Sequence, residues 1–572
     1  MNAESTTTSS EASWDGLPNP SCHDGLKNPS HRPGLSPVVI CALAGVMATA
    51  GLIVLGVSIS TKYHAKAHYH YDSASYRFSS VGAFDLFEQQ GRWATAWSLL
   101  QQQNSFDLLV RLFVYPQSLC QFHGHLFVQA PLMAIFFFLT FLVVHRRSGS
   151  YLLGCGVIAV VLLFGPVYHP VQSLTDYWKD NLGIWLLGSA FLCWFLSEHA
   201  GRRGWAFLSG AFWACLVLQR PVLTVYGGAL FAPFFTYAIW RRWREDDAST
   251  LTRRAVAFGA FPLAIVLLVV AAQGSTIYRY YFVTGYSYSS PREVAQWLWQ
   301  HPFSGGAWFR GGLLASFLVC LAAALRQGWA GAVNVAGSCW LCAGFLALLV
   351  ATRANFHGFA VVLMVLAVVA LARMTPRQAP RLWTRGIAVV LLLVTAGGSY
   401  VQSRHYAMVR RTKAVAGAEY RALYAEIAGV AEGSATPPKL GIFFDECYCL
   451  LWNQLYFDHG IKLDRETFFM SIHDTYYRGQ FGDASAADIA QTIFAEMDRT
   501  DRALAVIHQN PDDLGRFLDR RGRSEQRKSL AMEVNRLIGQ HLRQSDRWQI
   551  VKRIESERFG NLLIYQNIAW NR

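Results

Sequence analysis

Charge is scarce in this chain. Only 15% of its 572 residues are Asp, Glu, Lys or Arg, whereas a soluble domain carries about 25%. With 53% hydrophobic and 14% aromatic residues, the chain cannot be a soluble globule throughout, and much of it must sit in lipid. The first 37 residues lack any apolar run, which excludes a cleaved signal peptide there. They are rich in Ser, Thr, Asn, Pro and Gly and predict a disordered cytoplasmic tail. The eleven cysteines give no disulfide framework. Cys41, Cys155, Cys193, Cys215, Cys320, Cys339 and Cys342 lie inside apolar runs, as small core residues do. Cys447 and Cys449 of "DECYC" lack further ligands at metal-site spacing. No acceptable Asn-x-Ser/Thr sequon occurs, which is consistent with a bacterial inner (plasma) membrane. The C-terminal region holds neither a Gly-rich phosphate loop nor a nucleophile elbow.

What the chain does have is a series of apolar runs. A helix needs roughly 20 mainly apolar residues to cross a bilayer core of about 30 Å. Such runs occupy 38–59, 124–144, 151–168, 181–197, 205–219, 222–240, 255–272, 311–325, 328–351, 358–373 and 385–400. They predict a mainly α polytopic membrane protein with about 11 transmembrane helices. The basic clusters "HRR", "GRRG", "RRWRE", "TRR" and "RMTPRQAPRLWTR" then fall on one side, which the positive-inside rule makes cytoplasmic. The formal charge of +14 follows from these loops and their contacts with lipid headgroups, so membrane lipids are expected as partners and nucleic acid is not.

Three regions are expected: the tail 1–37, a transmembrane unit 38–402 and an extracytoplasmic α/β domain 403–572. In the last, "KLGIFFDE" and "RALAVIHQ" read as buried strands. "DDLGRFLDRR" and "LAMEVNRLIGQHL" read as helices, and "WQIVKRIESERFGNLLIYQN" reads as a strand pair turning at Gly560-Asn561.

Charged side chains of both signs gather at the outer face of this topology. The first outer loop carries Asp72 in "HYHYDSASYRF". It is followed by juxtamembrane helices in which Val81, Phe84 and Phe87, then Trp93, Trp97 and Leu100, have the spacing of helices lying on a membrane. The second carries Asp176 and Asp180, four apart and so on one helical face. Arg220 in "LQRPV" and Arg353 in "TRANFHG" lie at span junctions on the same side. Ionisable groups at span ends are costly and point to a site, although a wet outer loop carries charge freely as well. The third outer loop holds Tyr278, Tyr286, His301 and Trp308, which suit either stacking on sugar rings or anchoring at the interface. His68, His70 and Asp72 would share one face of an extended segment, as candidate ligands for a divalent metal.

The arrangement resembles the GT-C superfamily of integral-membrane glycosyltransferases, in the style of protein O-mannosyltransferases and aminoarabinose transferases. The likeness rests on "YDSASYRFSSVGAFDLFEQQG" after the first span and "HLFVQAPLMAIF" at the second. It continues with "DNLGIWLLGSAFLCWFL", led by Asp180, and "GRRGWAFLSGAFWACLVLQRPVLTVYGGAL" with its Arg-Pro step. It covers roughly residues 38–400. The chain has no paired Asp-Glu in the first loop and no Asp-x-Asp, so no metal or other cofactor is firmly implied. The resemblance implies an inverting transferase that takes a sugar from a polyprenyl-phosphate donor to the hydroxyl of a glycan, lipid or protein acceptor. Asp72 would then be the base, Asp180 or Asp176 would orient base or acceptor, and Arg353 and Arg220 would hold the donor phosphate. A transporter or lipid flippase is the main alternative, but no internal repeat is evident and the charges gather at one face rather than mid-membrane. A membrane-anchored carbohydrate-binding protein would leave the acids without a task.

Overall fold

The structure is a computed structural model that describes residues 36–63, 71–101, 105–120, 124–162, 180–278, 317–318, 321–322, 328–351, 360–375, 381–431, 439–442, 485–499, 503–520 and 525–571. Every expected apolar run except 311–325 coincides with a described helix. These are α1 (Pro37–Tyr63), α5 (Gly124–Ser148), α6 (Tyr151–Leu162), α7 (Asp180–Leu196), α8 (Arg203–Gln219), α9 (Pro221–Glu245), α10 (Ala248–Tyr278), α11 (Gly328–Ala351), α12 (Ala360–Met374) and the start of α13 (Arg381–Ala431). Among the described residues, five helices are long and apolar enough to cross a membrane, and several apolar helices are shorter. Most of 311–325 lies outside the described residues.

The spans pack closely where side chains are small and bond where they are polar. Helix α1 lies on α5, α8 lies between α7 and α10, and α13 lies on α6. A Cβ at Gly45 would stand 2.9 Å from the backbone of α5, so only glycine permits that approach, a common device between membrane helices. Buried bonds cross the bundle: Ser209 Oγ donates to the Ala190 carbonyl at 2.8 Å, and Trp185 Nε1 to Gln129 Oε1 at 3.3 Å. The core is strongly aromatic around Trp185, Phe191, Trp194 and Phe231.

Between α1 and α5 lie three short helices, α2 (Tyr71–Gln90), α3 (Arg92–Gln101) and α4 (Ser105–Val114), with a 3₁₀ turn over Pro116–Leu119. They share a small core of Ala83, Ala96, Leu99, Leu108, Leu112 and Leu119, with Phe84 and Phe87 packed against it. The expected apolar face therefore divides. Val81 is fully buried against the C-terminal domain and the two phenylalanines face protein, whereas Trp93 is 78% and Trp97 54% exposed. Only the tryptophans keep the exposure that contact with lipid requires.

Helix α13 runs unbroken for 51 residues, and its far half presents Tyr420, Leu423, Tyr424, Ile427, Ala428 and Ala431 to the C-terminal core. That core lies on a four-stranded sheet of order β1-β2-β4-β3, formed by Lys439–Ile442, Ala503–His508, Leu562–Asn567 and Trp548–Ile554. The β1–β2 pair is parallel and the other two pairs are antiparallel. Helices α14 (Ala486–Met497), α15 (Pro511–Arg520) and α16 (Glu525–Gln544) complete the domain. The expected strands and hairpin are all present, with Gly560 at φ +77° near the turn, a region glycine enters without strain.

Candidate functional site

Proline sets the local geometry at Arg220. A residue before proline is driven out of the α region, and Arg220 is extended at φ −156°, ψ 101°. Pro221 then opens α9, where its missing N–H costs nothing. The break is held on both sides: the Arg220 N–H donates to the Leu216 carbonyl at 2.9 Å, and its own carbonyl accepts from the Thr224 N–H at 3.1 Å. Arg220 is thus fixed between two helices.

Two other segments converge on this junction. The first turns of α7 reach it at Gly183, where a Cβ would lie 2.9 Å from Leu223 and 3.4 Å from the Gln219 side chain. Asp180 opens that helix, three residues earlier. From the other direction comes α4, where Gln219 Oε1 accepts a hydrogen bond from the Asp107 N–H at 2.8 Å. Asp107 in turn forms a buried ion pair with Arg111, one helical turn on, at 3.2 Å, and Arg111 also reaches the Ser118 carbonyl at 3.4 Å. The juxtamembrane helices are therefore tied directly to the residue beside Arg220.

Asp72 lies in the first turn of α2, and α2 packs on α3, α4 and the 3₁₀ turn. Asp72 is helical, and the His68 and His70 expected to share a face with it lie outside the described residues. Among the described residues no group of three or more His, Cys, Asp or Glu is arranged to hold a metal ion. Further along α2, Arg77 is buried. Near it the Cys120 thiol is pushed up to about 11, by burial first and then by the carboxylates of Asp85 and Glu88, with Arg77 opposing.

Asp180 and Arg220 thus come from elements that meet, and Asp72 comes from the helical unit docked on them. Asp176, Arg353, Tyr286, His301 and Trp308 lie outside the described residues, and Tyr278 is the last residue of α10. Sequence reasoning passed over Asp107, Arg111 and Gln219. The i, i+4 acid–base pair inside the apolar stretch "SFDLLVRLFV" was the signal available for the first two. Gln219 carried none beyond its place next to Arg220.

No protein-family model matches the sequence, and no curated protein matches it. One solved structure with the same fold is the crystal structure of ArnT from Cupriavidus metallidurans in the apo state. The TM-score is 0.53 at 13% identity, over 91% of this chain and 99% of that one. At that identity the likeness is one of fold, and the mainly helical polytopic architecture with a small C-terminal sheet expected from the sequence is the one observed.

Proposed function

We propose that this chain is an inverting glycosyltransferase. It moves a sugar from a polyprenyl-phosphate donor to an acceptor hydroxyl on the membrane face opposite the arginine-rich loops. The observation that carries the reading is the fold shared with ArnT, an aminoarabinose transferase of the GT-C family, over nearly the whole of both chains. The convergence of α4, α7, α8 and α9 on Arg220 supports it, because it gathers ionisable residues at one face of the bundle.

In this reading the acceptor oxygen attacks the anomeric carbon and its proton passes to the Asp72 carboxylate. The bond from that carbon to the phosphate oxygen breaks, and the electron pair leaves on the polyprenyl phosphate. A single displacement of this kind inverts the anomeric centre. A positioned base contributes about 10²–10⁴-fold. Asp180, or Asp176 before it, orients the base or acceptor. Arg220 and Arg353 neutralise the departing phosphate, for which guanidinium groups are geometrically suited. The loop that carries Tyr278, Tyr286, His301 and Trp308 would either stack on the sugar or anchor at the interface. The acceptor is a glycan, a lipid or a protein, and no cofactor is firmly implied. The protein would sit in a bacterial inner membrane with its sheet domain outside the cytoplasm.

The test is transfer by the reconstituted protein from a polyprenyl-phosphate sugar. Asp72→Asn should spare donor binding and lower turnover by about 10²-fold or more, whereas Arg220→Ala should weaken donor use. Equal use of a soluble nucleotide sugar without any polyprenyl carrier would overturn the reading, as would full activity in both variants.

A further inference from the structure

On the arginine-rich side the chain between α7 and α8 makes an unusual turn. Glu198, His199 and Ala200 all take left-handed backbone angles, φ 52°, 59° and 63°, which residues with a Cβ rarely adopt in succession. The turn is clamped from α9: Arg242 donates to the Glu198 carbonyl at 2.8 Å and to the His199 carbonyl at 3.3 Å. Burial, then the charges of Arg241, Arg373 and Arg242, push His199 down to about 3. Two helices, α9 and α12, thus bring positive charge to one buried turn. Arg373 is itself buried, its guanidinium 4.8 Å from the Phe195 ring centre and 4.5 Å from that of Phe234. It contributes field rather than reach. Of the described acids nearby, Glu198 pairs with Arg202 at 2.7 Å, Asp246 pairs with Arg254 at 3.3 Å, and Asp247 accepts a hydrogen bond from Ser249.

A shallow, open apolar groove of about 640 Å³ lies along one face of α9 beside this turn, lined by Ala229, Ala232, Pro233, Thr236, Tyr237 and Trp240. Its length, from residue 229 to 240, is about 16 Å at the helical rise. The two features are joined by side chains. The Tyr237 ring stands edge-on to His199 at 5.2 Å, and the Arg244 guanidinium lies 4.4 Å from the Trp240 ring centre. Along one helix face the surface therefore passes from apolar slot to aromatic girdle to cationic end. That is the order of parts met by a lipid whose tail lies in hydrocarbon and whose phosphate lies at the interface.

We propose that this groove binds one anionic phospholipid, with an acyl chain along Ala229–Trp240 and its phosphate held by Arg241 and Arg244. The site lies on the opposite membrane face from the proposed transfer site and does not depend on that function. Charge complementarity selects the ligand class: a zwitterionic headgroup would bring its own ammonium into the field of Arg241, Arg242 and Arg373. The bound lipid would brace the left-handed turn by supplying negative charge where arginines crowd.

Native mass spectrometry of the full chain in a neutral detergent tests this. Delipidated protein is titrated with phosphatidylglycerol, with phosphatidylcholine of the same acyl chains, and with inorganic phosphate at equal phosphorus. One phosphatidylglycerol per chain should be retained, with a preference over phosphatidylcholine of roughly 30-fold for two arginines near the surface. Inorganic phosphate alone should give no adduct. In the double variant Arg241→Gln, Arg244→Gln the preference should vanish. Equal retention of the two lipids by the unaltered protein overturns the proposal even if the variant does not fold. An adduct with phosphate alone, or undiminished preference in a folded variant, also overturns it.

Discussion

Arg111 and Asp107 show how much can hang on two side chains within one turn of helix. Both are buried and paired at 3.2 Å, so removing one leaves a charge in low dielectric, at a cost of about 3–5 kcal/mol. Arg111→Met should lower the melting temperature of the detergent-solubilised protein sharply. The double variant with Asp107→Leu should recover much of that loss, since neither charge then remains. His508 offers a pH-dependent counterpart in the C-terminal sheet. Burial holds its pKa down to about 3, against a weaker upward pull from Asp513. The folded chain thus refuses a proton that the unfolded chain accepts below about 6.5. Stability should fall as pH drops through the window from 6.5 to 3, by up to about 1.4 kcal/mol per pH unit. His508→Leu should flatten that slope by one proton, read by hydrogen exchange in β2 peptides; an unchanged slope would show that His508 is not held neutral. The spacing of Asp107 and Arg111 inside an apolar stretch was a local signal, but neither their burial nor that of His508 was legible in the sequence. The hydrogen bond from the Asp107 backbone N–H to Gln219 spans 112 positions, and no local pattern encodes such a contact.

At the scale of elements, close approach decides the packing. At Gly210 of α8 an added Cβ would lie 2.1 Å from the Phe258 carbonyl oxygen of α10, whereas Gly204 on the same helix has open space around it. Gly210→Val should therefore destabilise by at least the 1–3 kcal/mol typical of overpacking, while Gly204→Ala should be tolerated. Thermal shift of the two variants in detergent distinguishes them, and equal melting temperatures would contradict the α8–α10 contact. The spans were legible because length and apolarity are local properties. The strands of the sheet domain and its helices α15 and α16 were legible for the same reason, in their short apolar runs and the Gly560 turn, whereas α14 was not. The division of the juxtamembrane face was not. Val81 and Trp93 both suit a lipid-facing stripe by spacing, and only the presence of the C-terminal domain above Val81 separates them. Nor did the sequence reveal that α13 continues past residue 402. "SRHYAMVRRTK" marks a change from apolar to charged composition, but it contains no proline and does not end the helix.

For the whole molecule, the proposed orientation puts the C-terminal sheet on the far side from the arginine clusters. Alkaline phosphatase fused after Arg572 should be active in a bacterial host and β-galactosidase at the same place inactive; the reverse pattern would invert the topology and move Asp72 to the cytoplasm. The continuity of α13 sets a further condition on this arrangement. Its 51 residues make a shaft of about 75 Å, against a bilayer core of about 30 Å. A shaft fixes azimuth as well as height, because each residue turns the helix by about 100°. Two alanines inserted near residue 405 would swing the sheet domain about 200° around the shaft and carry Tyr424 and its neighbours away from Val81. Seven inserted residues would return the domain to within about 20° of its original bearing but raise it by about 10 Å. Neither should restore the contact with α2, and crosslinking between cysteines placed at Val81 and Ile427 would report both failures. The number of residues between the membrane and the sheet thus acts as a phase setting, by which the first outer loop and the last domain meet at one angle and one height.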